Sequence, residues 1–369
     1  MKILHVIEGK ANPNRANGVN QVIYGLAKYQ SRAGHKVRVF GMSKGLKETH
    51  EVVDWDGFSV DVYKELNSDS WIALKQMIAE TDVVHLHSVW KNYNVRIGKY
   101  LKSIDKPYII TAHCGLSEDR IRQSNYLVKM VYHKLFQKEL FDNASAVHAL
   151  TREESTDILK YCDNRICVVN NGVDFDTYSN YKYAVKQRDK IVLGYLGRLS
   201  VEKNLDNLIR SITLLPDNIK KHVELRIIGP ENADSHIFKD IVAESHLEDS
   251  VKFMGGKYGE DKIKELLDVD AYIHPAYSDV VGISVMEALA LGIPTIVTRT
   301  SHMSYFNTSH AYIMIEPTAM DMARGIEEFA NCPEKWSVMS DNAKKLAATT
   351  FNWEVVVAKI LDVYKSVIK

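Results

Sequence analysis

Short apolar runs rich in β-branched residues alternate with longer amphipathic stretches from one end of this 369-residue chain to the other. That alternation is the strongest constraint on the fold. Parallel strands cannot be joined by tight turns and need crossovers, usually helical, which cover both faces of the sheet. Segments 3–7, 36–41, 82–87, 108–112, 144–150 and 166–169 read as strands of a first sheet. Helical patterns separate them, notably 19–32, 71–80 and 126–141; the first carries Val19, Val22, Ile23, Leu26 and Ala27 at helical spacing. The pattern pauses over 174–190, a polar stretch with three tyrosines that reads as an interdomain connection. It then restarts with strands at 191–196, 223–228, 251–254, 271–274, 294–297 and 311–315. Helices at 204–214, 236–245, 261–267 and 284–291 lie between them, and 353–368 closes the chain with a clear helix face. Two open, doubly wound α/β domains are expected, 1–175 and 190–350. A cleft between them, faced by strand carboxyl ends, is the expected place for a ligand.

Composition excludes several classes of function. Lys and Arg (47) balance Asp and Glu (47), so the basic excess of a general nucleic-acid binder is missing. Hydrophobic residues at 46% and charged residues at 25% are those of a soluble globular chain. No apolar run approaches the roughly 18 residues of a membrane span, and Glu8 closes the short apolar start. Cys114, Cys162, Cys167 and Cys332 show no CxxC pairing, so neither a disulfide frame nor a zinc site is expected. A cytoplasmic location follows from these features.

Two segments of the second half hold charge where charge needs a reason. Gly197-Arg198-Leu199-Ser200-Val201-Glu202-Lys203 follows a strand and opens a helix. A cation at a helix start opposes the dipole unless an anion sits there. Arg198 as a planar fork and Lys203 as a point charge fit a phosphate. The other reading is a solvated loop with Lys203 paired to Glu202 or Asp206. Further on, Glu287 lies among Val285, Met286, Ala288, Leu289 and Ala290. A carboxylate there needs strong partners: either the two hydroxyls of a ribose or a structural Arg or Lys. Gly282 lets backbone approach a ligand, the amides of Ile283 and Ser284 could meet a phosphate, and Asp279 stands one loop away, free to grip a sugar hydroxyl.

In the first half, His113 follows a strand's carboxyl end beside Gly115, where catalytic side chains sit in open α/β domains. A satisfied structural histidine is the alternative. His85 and His87 alternate onto one face of their strand; a metal would need a third ligand, which the sequence does not reveal. Asp268 and Asp270 read as helix-end chemistry. There is no GxxxxGK[ST], no GxSxG, and no spaced-glycine dinucleotide fingerprint near Gly18.

These segments together resemble glycosyltransferase family 4, with its GT-B fold of two facing Rossmann-like domains. The likeness runs from Gly18-Val19 and the helix ending Ala33-Gly34-His35-Lys36-Val37, through 82–87 and 107–115, to the Asn171-Gly172-Val173-Asp174 turn. It continues in Gly197-Arg198 with Lys203, Ile227-Ile228-Gly229, 251–255, the Asp279-to-Glu287 pair of acids, and Phe351-Asn352-Trp353. The resemblance implies that 352–369 crosses back onto the first domain. It implies roles as well: Arg198 and Lys203 on the donor diphosphate, Glu287 on the ribose, Gly18, Gly282, Ile283 and Ser284 approaching phosphate and sugar, and His113 and Asp279 on the transferred sugar. It implies a retaining reaction without metal or cofactor, in which the departing phosphate takes the acceptor's proton.

Three departures stand out. Asp279 replaces the family's longer Glu, with Val280-Val281 for Gly and an aromatic; Asn170 stands for Pro; and 302–307 lacks the usual Gly-Gly. The implied activity is transfer of a hexose or N-acetylhexosamine from a UDP- or GDP-sugar to a glycan or lipid-linked glycan, as in bacterial surface polysaccharide or lipopolysaccharide biosynthesis. The alternatives are a synthase using a free sugar acceptor, and a degenerate subunit that binds a nucleotide sugar or a partner without turnover. Segment 126–136 mixes apolar and basic residues. It reads first as a core-facing helix, and otherwise as one lying on the inner face of the cytoplasmic membrane.

Overall fold

The computed structural model describes residues 1–13, 18–117, 121 and 125–368, in two compact units. Met1–Gly172 with Trp353–Lys369 forms the first, and Val173–Asn352 the second.

The first unit carries β1 (Lys2–Glu8), β2 (Lys36–Met42), β3 (His50–Trp55), β4 (Phe58–Tyr63), β5 (Val83–His87), β6 (Tyr108–Thr111), β7 (Ala146–Ala149) and β8 (Ile166–Val168). Their order is β3-β4-β2-β1-β5-β6-β7-β8, with every pairing parallel except β3 with β4. That antiparallel hairpin is absent from the sequence reading above. Its signal is Asp56-Gly57 between two alternating runs, with Gly57 at φ 89°. The near-continuous burial of β1, β5, β6 and β7 is what a sheet covered on both faces requires. The final helix, Trp353–Val367, packs on helix Gly18–Arg32, and Trp353 fills the space above Gly25 and Gly172.

The segment 126–141 is helical but interrupted: Tyr126–Tyr132, a π-turn His133–Gln137, then Lys138–Asp142. The core-facing expectation holds only for one side of its first part, where Met130 and Tyr132 pack half-buried against the core and no residue is fully buried. Leu127 is 74% exposed, Val128 61% and Leu135 60%.

The second unit carries β9 (Ile191–Leu196), β10 (Val223–Ile228), β11 (Val251–Gly255), β12 (Ala271–His274), β13 (Thr295–Thr298) and β14 (Tyr312–Ile315). All are parallel, in the order β11-β10-β9-β12-β13-β14. Strand order reverses at β9, as it does at β1 in the first unit, so each unit has a switch point where carboxyl ends diverge. The stretch expected as a connection, 174–190, belongs to the second unit instead. Tyr178 and Tyr183 are buried, with Tyr183 donating to the Asp270 carbonyl at 2.8 Å, and Arg188 binds the Asp270 carboxylate at 2.7 Å. The tyrosines carry the signal of a packed segment: a phenol buries its ring once its hydroxyl has a partner.

Candidate active site

At the second unit's switch point, β9 ends in Gly197-Arg198 and passes through a 3-10 turn, Val201–Lys203, into helix Leu205–Thr213. Lys203 therefore ends the turn ahead of the helix. Asn204 follows in the left-handed region at φ 59°, held by donating to the carbonyls of Pro275 (2.9 Å) and Pro317 (3.0 Å). This buried asparagine clamps the β9 loop to the β12 loop and so brings Lys203 to Asp279, with Nζ 2.6 Å from Oδ2. The loop pairings expected for Lys203 are not formed; Glu202 instead faces Arg198 at 3.9 Å. Arg198 otherwise stands out, its side chain 56% exposed.

Asp279 is not free, as the sequence suggested. Oδ2 also takes a hydrogen bond from His274 Nε2 at 3.0 Å, and Oδ1 accepts from the Val280 amide. Burial would raise its pKa, but His274 and the Lys203 charge outweigh that and hold the carboxyl well below the usual carboxylate range. Nor does it cap the next helix: that position is Gly282, and no side chain caps it. Gly282 sits at a close approach, since a Cβ there would lie 3.0 Å from Asp279 Oδ2 and 3.1 Å from the His274 ring and would press on both. His274 continues to the Tyr272 hydroxyl (3.2 Å), which meets Ser284 Oγ at 2.7 Å. The amides of Ile283 and Ser284, first in helix Ile283–Leu291, take no partner among the described residues.

Glu287 has the structural partner that was one of its two readings. Lys262 Nζ and the Tyr178 hydroxyl both bind Oε1 at 2.7 Å, which is the structural pair. Oε2 takes no partner among the described residues and remains an acceptor. Burial, then the Glu287 charge, pushes the Tyr178 phenol far up, so it serves only as a neutral donor.

In the first unit, Gly18 opens its helix exposed, and residues 14–17 before it lie outside the described ones. His113 sits half-buried past β6, at φ 50°, and Cys114 follows at φ 60°. Two successive non-glycine residues in this region carry strain of about 1–3 kcal/mol each. Buried Glu154 holds the turn by accepting from the amides of Cys114 (2.7 Å) and Leu150 (2.6 Å). His113 Nε2 lies 3.0 Å from His87 Nδ1, and His87 Nε2 lies 2.9 Å from His5 Nδ1. The third histidine that the sequence did not reveal is thus His5: β1 pairs with β5 so that His5 faces His85. Ring nitrogens of His5, His85 and His87 all fall within 4.8 Å of one another, close enough to consider a metal. The donor set does not fit one. Both nitrogens of His85 are already bonded, to the Tyr364 hydroxyl and Thr111 Oγ1 at 2.6 Å each, and both of His5 and His87 are likewise used.

Family comparison decides what this arrangement belongs to. Residues 16–177 match the model for Glycosyltransferase Family 4, and 180–346 match Glycosyl transferases group 1. The chain belongs to glycosyltransferase family 4. D-inositol 3-phosphate glycosyltransferase of Corynebacterium glutamicum is 23% identical, with 78% of this chain and 72% of that one covered. The capsular polysaccharide biosynthesis glycosyltransferase CapM of Staphylococcus aureus is 21% identical over 72% of each. Among solved structures, Anabaena Alr3699/HepE in complex with UDP superposes with TM-score 0.78 at 19% identity, covering 99% of this chain and 100% of that one. The likeness fixes a GT-B fold of two Rossmann-like units.

Within this glycosyltransferase, several site neighbours escaped the sequence reading. Asn204, His274, Lys262, Tyr178 and Glu154 act through the functional candidates rather than announcing themselves. An asparagine just ahead of the helix was the one readable hint, because Asn tolerates the left-handed region. The other four are ordinary residues until the fold supplies their partners.

Proposed function

We propose that this glycosyltransferase moves a hexose or N-acetylhexosamine from a UDP- or GDP-sugar to a glycan or lipid-linked glycan acceptor, with retention at the anomeric carbon and without a metal ion. The observation that carries the reading is the unit-two cluster: exposed Arg198, Lys203 held 2.6 Å from Asp279, and the Ile283 and Ser284 amides with Glu287 Oε2, which take no partner among the described residues. A nucleoside diphosphate offers a partner to the open groups and a second anion to the two cations. Its phosphate oxygens take Arg198, Lys203 and the amides, and its ribose hydroxyls donate to Glu287 Oε2. As the bond from the anomeric carbon to the diphosphate oxygen breaks, charge grows on that phosphate. Arg198 and Lys203 stabilise the change, so most of the catalysis is positioning and electrostatics. The incoming hydroxyl forms the new bond to the anomeric carbon and passes its proton to the departing phosphate. His113 contacts the transferred sugar.

The UDP complex of the Anabaena protein supports a uridine donor, and the name of the Staphylococcus aureus relative supports a surface polysaccharide role. Exposed Leu127, Val128, Val131, Leu135 and Phe136, interleaved with Lys129 and Lys134, fit an anionic lipid surface where a lipid-linked acceptor would be met. The deciding experiment is a thermal-shift panel of UDP-, GDP- and ADP-sugars, followed by donor turnover with and without excess EDTA. A stabilising donor with EDTA-resistant turnover is expected. Turnover lost to EDTA and restored by Mg²⁺ or Mn²⁺ refutes the metal-free mechanism. Donor binding without any hydrolysis favours the degenerate subunit.

A further inference from the structure

Five buried or half-buried histidines of the first unit lie on four neighbouring strands or their ends: His5 on β1, His85 and His87 on β5, His113 after β6, and His148 on β7. Register explains why they meet. His5 pairs with His85, and Thr111, paired with His87, also pairs with His148, so all face one side of the sheet. Helices Gly18–Arg32 and Trp353–Val367 add Gln30 and Tyr364.

Every hydrogen bond in this group runs one way, and a backbone carbonyl decides which. Val169 O can only accept, so His148 carries its proton on Nε2 (2.8 Å) and leaves Nδ1 bare. Thr111 must then donate to that Nδ1 (2.8 Å) and accept from His85 Nε2 (2.6 Å). His85 Nδ1 is therefore bare and takes the Tyr364 hydroxyl proton (2.6 Å). Tyr364 can now only accept from Gln30 Nε2 (3.3 Å), which turns Gln30 Oε1 toward His5 Nε2 (2.8 Å). A carbonyl oxygen accepts, so His5 is protonated on Nε2 and bare on Nδ1. It accepts from His87 Nε2 (2.9 Å), and His87 Nδ1 accepts from His113 Nε2 (3.0 Å). One ring nitrogen is left over, His113 Nδ1, which takes no partner among the described residues. The deduction requires neutral rings. Burial supplies them, lowering His5 and His148 to about 4 and His113 to about 3, with His85 and His87 well below the usual value.

We propose that Gln30, His5, His87 and Tyr364 are positioning residues that hold His113 in a single tautomer, protonated on Nε2, with Nδ1 offered as an acceptor to a hydroxyl of the transferred sugar. The acceptor role rests on the sugar contact assigned to His113 above; the tautomer does not. Direction matters because a reversed chain would present an N–H at Nδ1, which cannot accept from a hydroxyl. A tautomer is otherwise a free choice for imidazole, and here the choice is made at Val169, at the far end of the chain of bonds. The closing helix takes part through Tyr364, which does not touch His113 but sets its proton three histidines away.

The test is nitrogen-15 NMR of histidine-labelled protein without ligand, with His113 assigned by comparison with His113→Asn. All five histidines are expected as neutral Nε2–H tautomers near pH 7. Any of them found as Nδ1–H in the wild type overturns the proposal, whether or not a variant folds. Gln30→Met and Tyr364→Phe each remove the group that fixes the direction, so both should give His113 as a mixture of tautomers. His113 unchanged in both variants overturns the relay. Because this readout needs no donor and no turnover, it stands apart from the transferase reading. In kinetics, Tyr364→Phe should lower kcat/KM for the donor about tenfold, the loss of one neutral hydrogen bond. An unchanged kcat/KM alongside a mixed tautomer removes the acceptor role and leaves the relay structural.

Discussion

Moving the protein from pH 7 to pH 5 should unfold its first unit far more readily than an ordinary domain. A histidine free in the unfolded chain, with a pKa near 6.5, is about 97% protonated at pH 5. In the fold, His5 and His148 near 4 are then only about one-tenth protonated. The unfolded state binds more protons, so stability is full above about pH 6.5 and falls as pH drops toward the folded values. Linkage gives a loss of about 2 kcal/mol for each of these two histidines between pH 7 and 5. His85, His87 and His113 are lowered by the same cause, burial, and add in the same direction. Among the described residues no carboxylate compensates inside the cluster, since its partners are Gln30, Thr111, Tyr364 and the Val169 carbonyl. A loss of about 4 kcal/mol from His5 and His148 alone would consume much of the roughly 5–15 kcal/mol of a typical domain. The assay is urea unfolding by tryptophan fluorescence in Trp336→Phe, because Trp55, Trp71, Trp90 and Trp353 all belong to the first unit and Trp336 to the second. The midpoint should fall steeply, with a slope near or above two protons taken up per molecule around pH 5.5. A first unit equally stable at pH 7 and pH 5 would refute neutral, desolvated histidines and the hydrogen-bond directions built on them.

Arg198→Ala or Lys203→Ala should each cut turnover about a hundredfold, near 3 kcal/mol, with little loss in the melting temperature for the exposed arginine; near-normal turnover in both removes them from the phosphate site. Asp279→Asn keeps size but gives up the charge facing Lys203, so kcat/KM should fall by ~1.5–3 kcal/mol. Asp279→Glu should also be impaired, because a longer side chain overreaches a pair already 2.6 Å apart; wild-type rates in either variant would make the pair incidental. Leu127→Asp with Leu135→Asp should abolish sedimentation with vesicles containing anionic lipid while sparing turnover on a soluble acceptor, and retained sedimentation would clear that helix of the role.

How much of this was written in the sequence depends on the range of the interaction involved. Alternating strand and helix patterns are local, so the sequence alone specified two successive parallel α/β sheets and placed β1, β5, β6, β9, β12 and β13 within a residue or two. It marked Arg198, Lys203, Glu287 and His113 for the same reason: a charge at a helix start, a carboxylate in an apolar helix and a histidine past a strand are anomalies visible within a few residues. What it could not assign was partnership. Lys203 looked toward Glu202 and Asp206 because they are near in sequence, yet Asn204 ties its loop to Pro275 and delivers it to Asp279, 76 residues on. The tyrosines of 174–190 looked like a linker because their partners, Glu287 and the Asp270 carbonyl, lie about a hundred residues away. His5 lay 82 residues from His87 and stayed invisible as its neighbour until the register of β1 on β5 aligned them. Propensity and periodicity decay within a turn or two of backbone, whereas buried polar groups must be satisfied wherever the chain returns. The tertiary structure alone therefore decided which charges pair, and on which nitrogen each buried histidine keeps its proton.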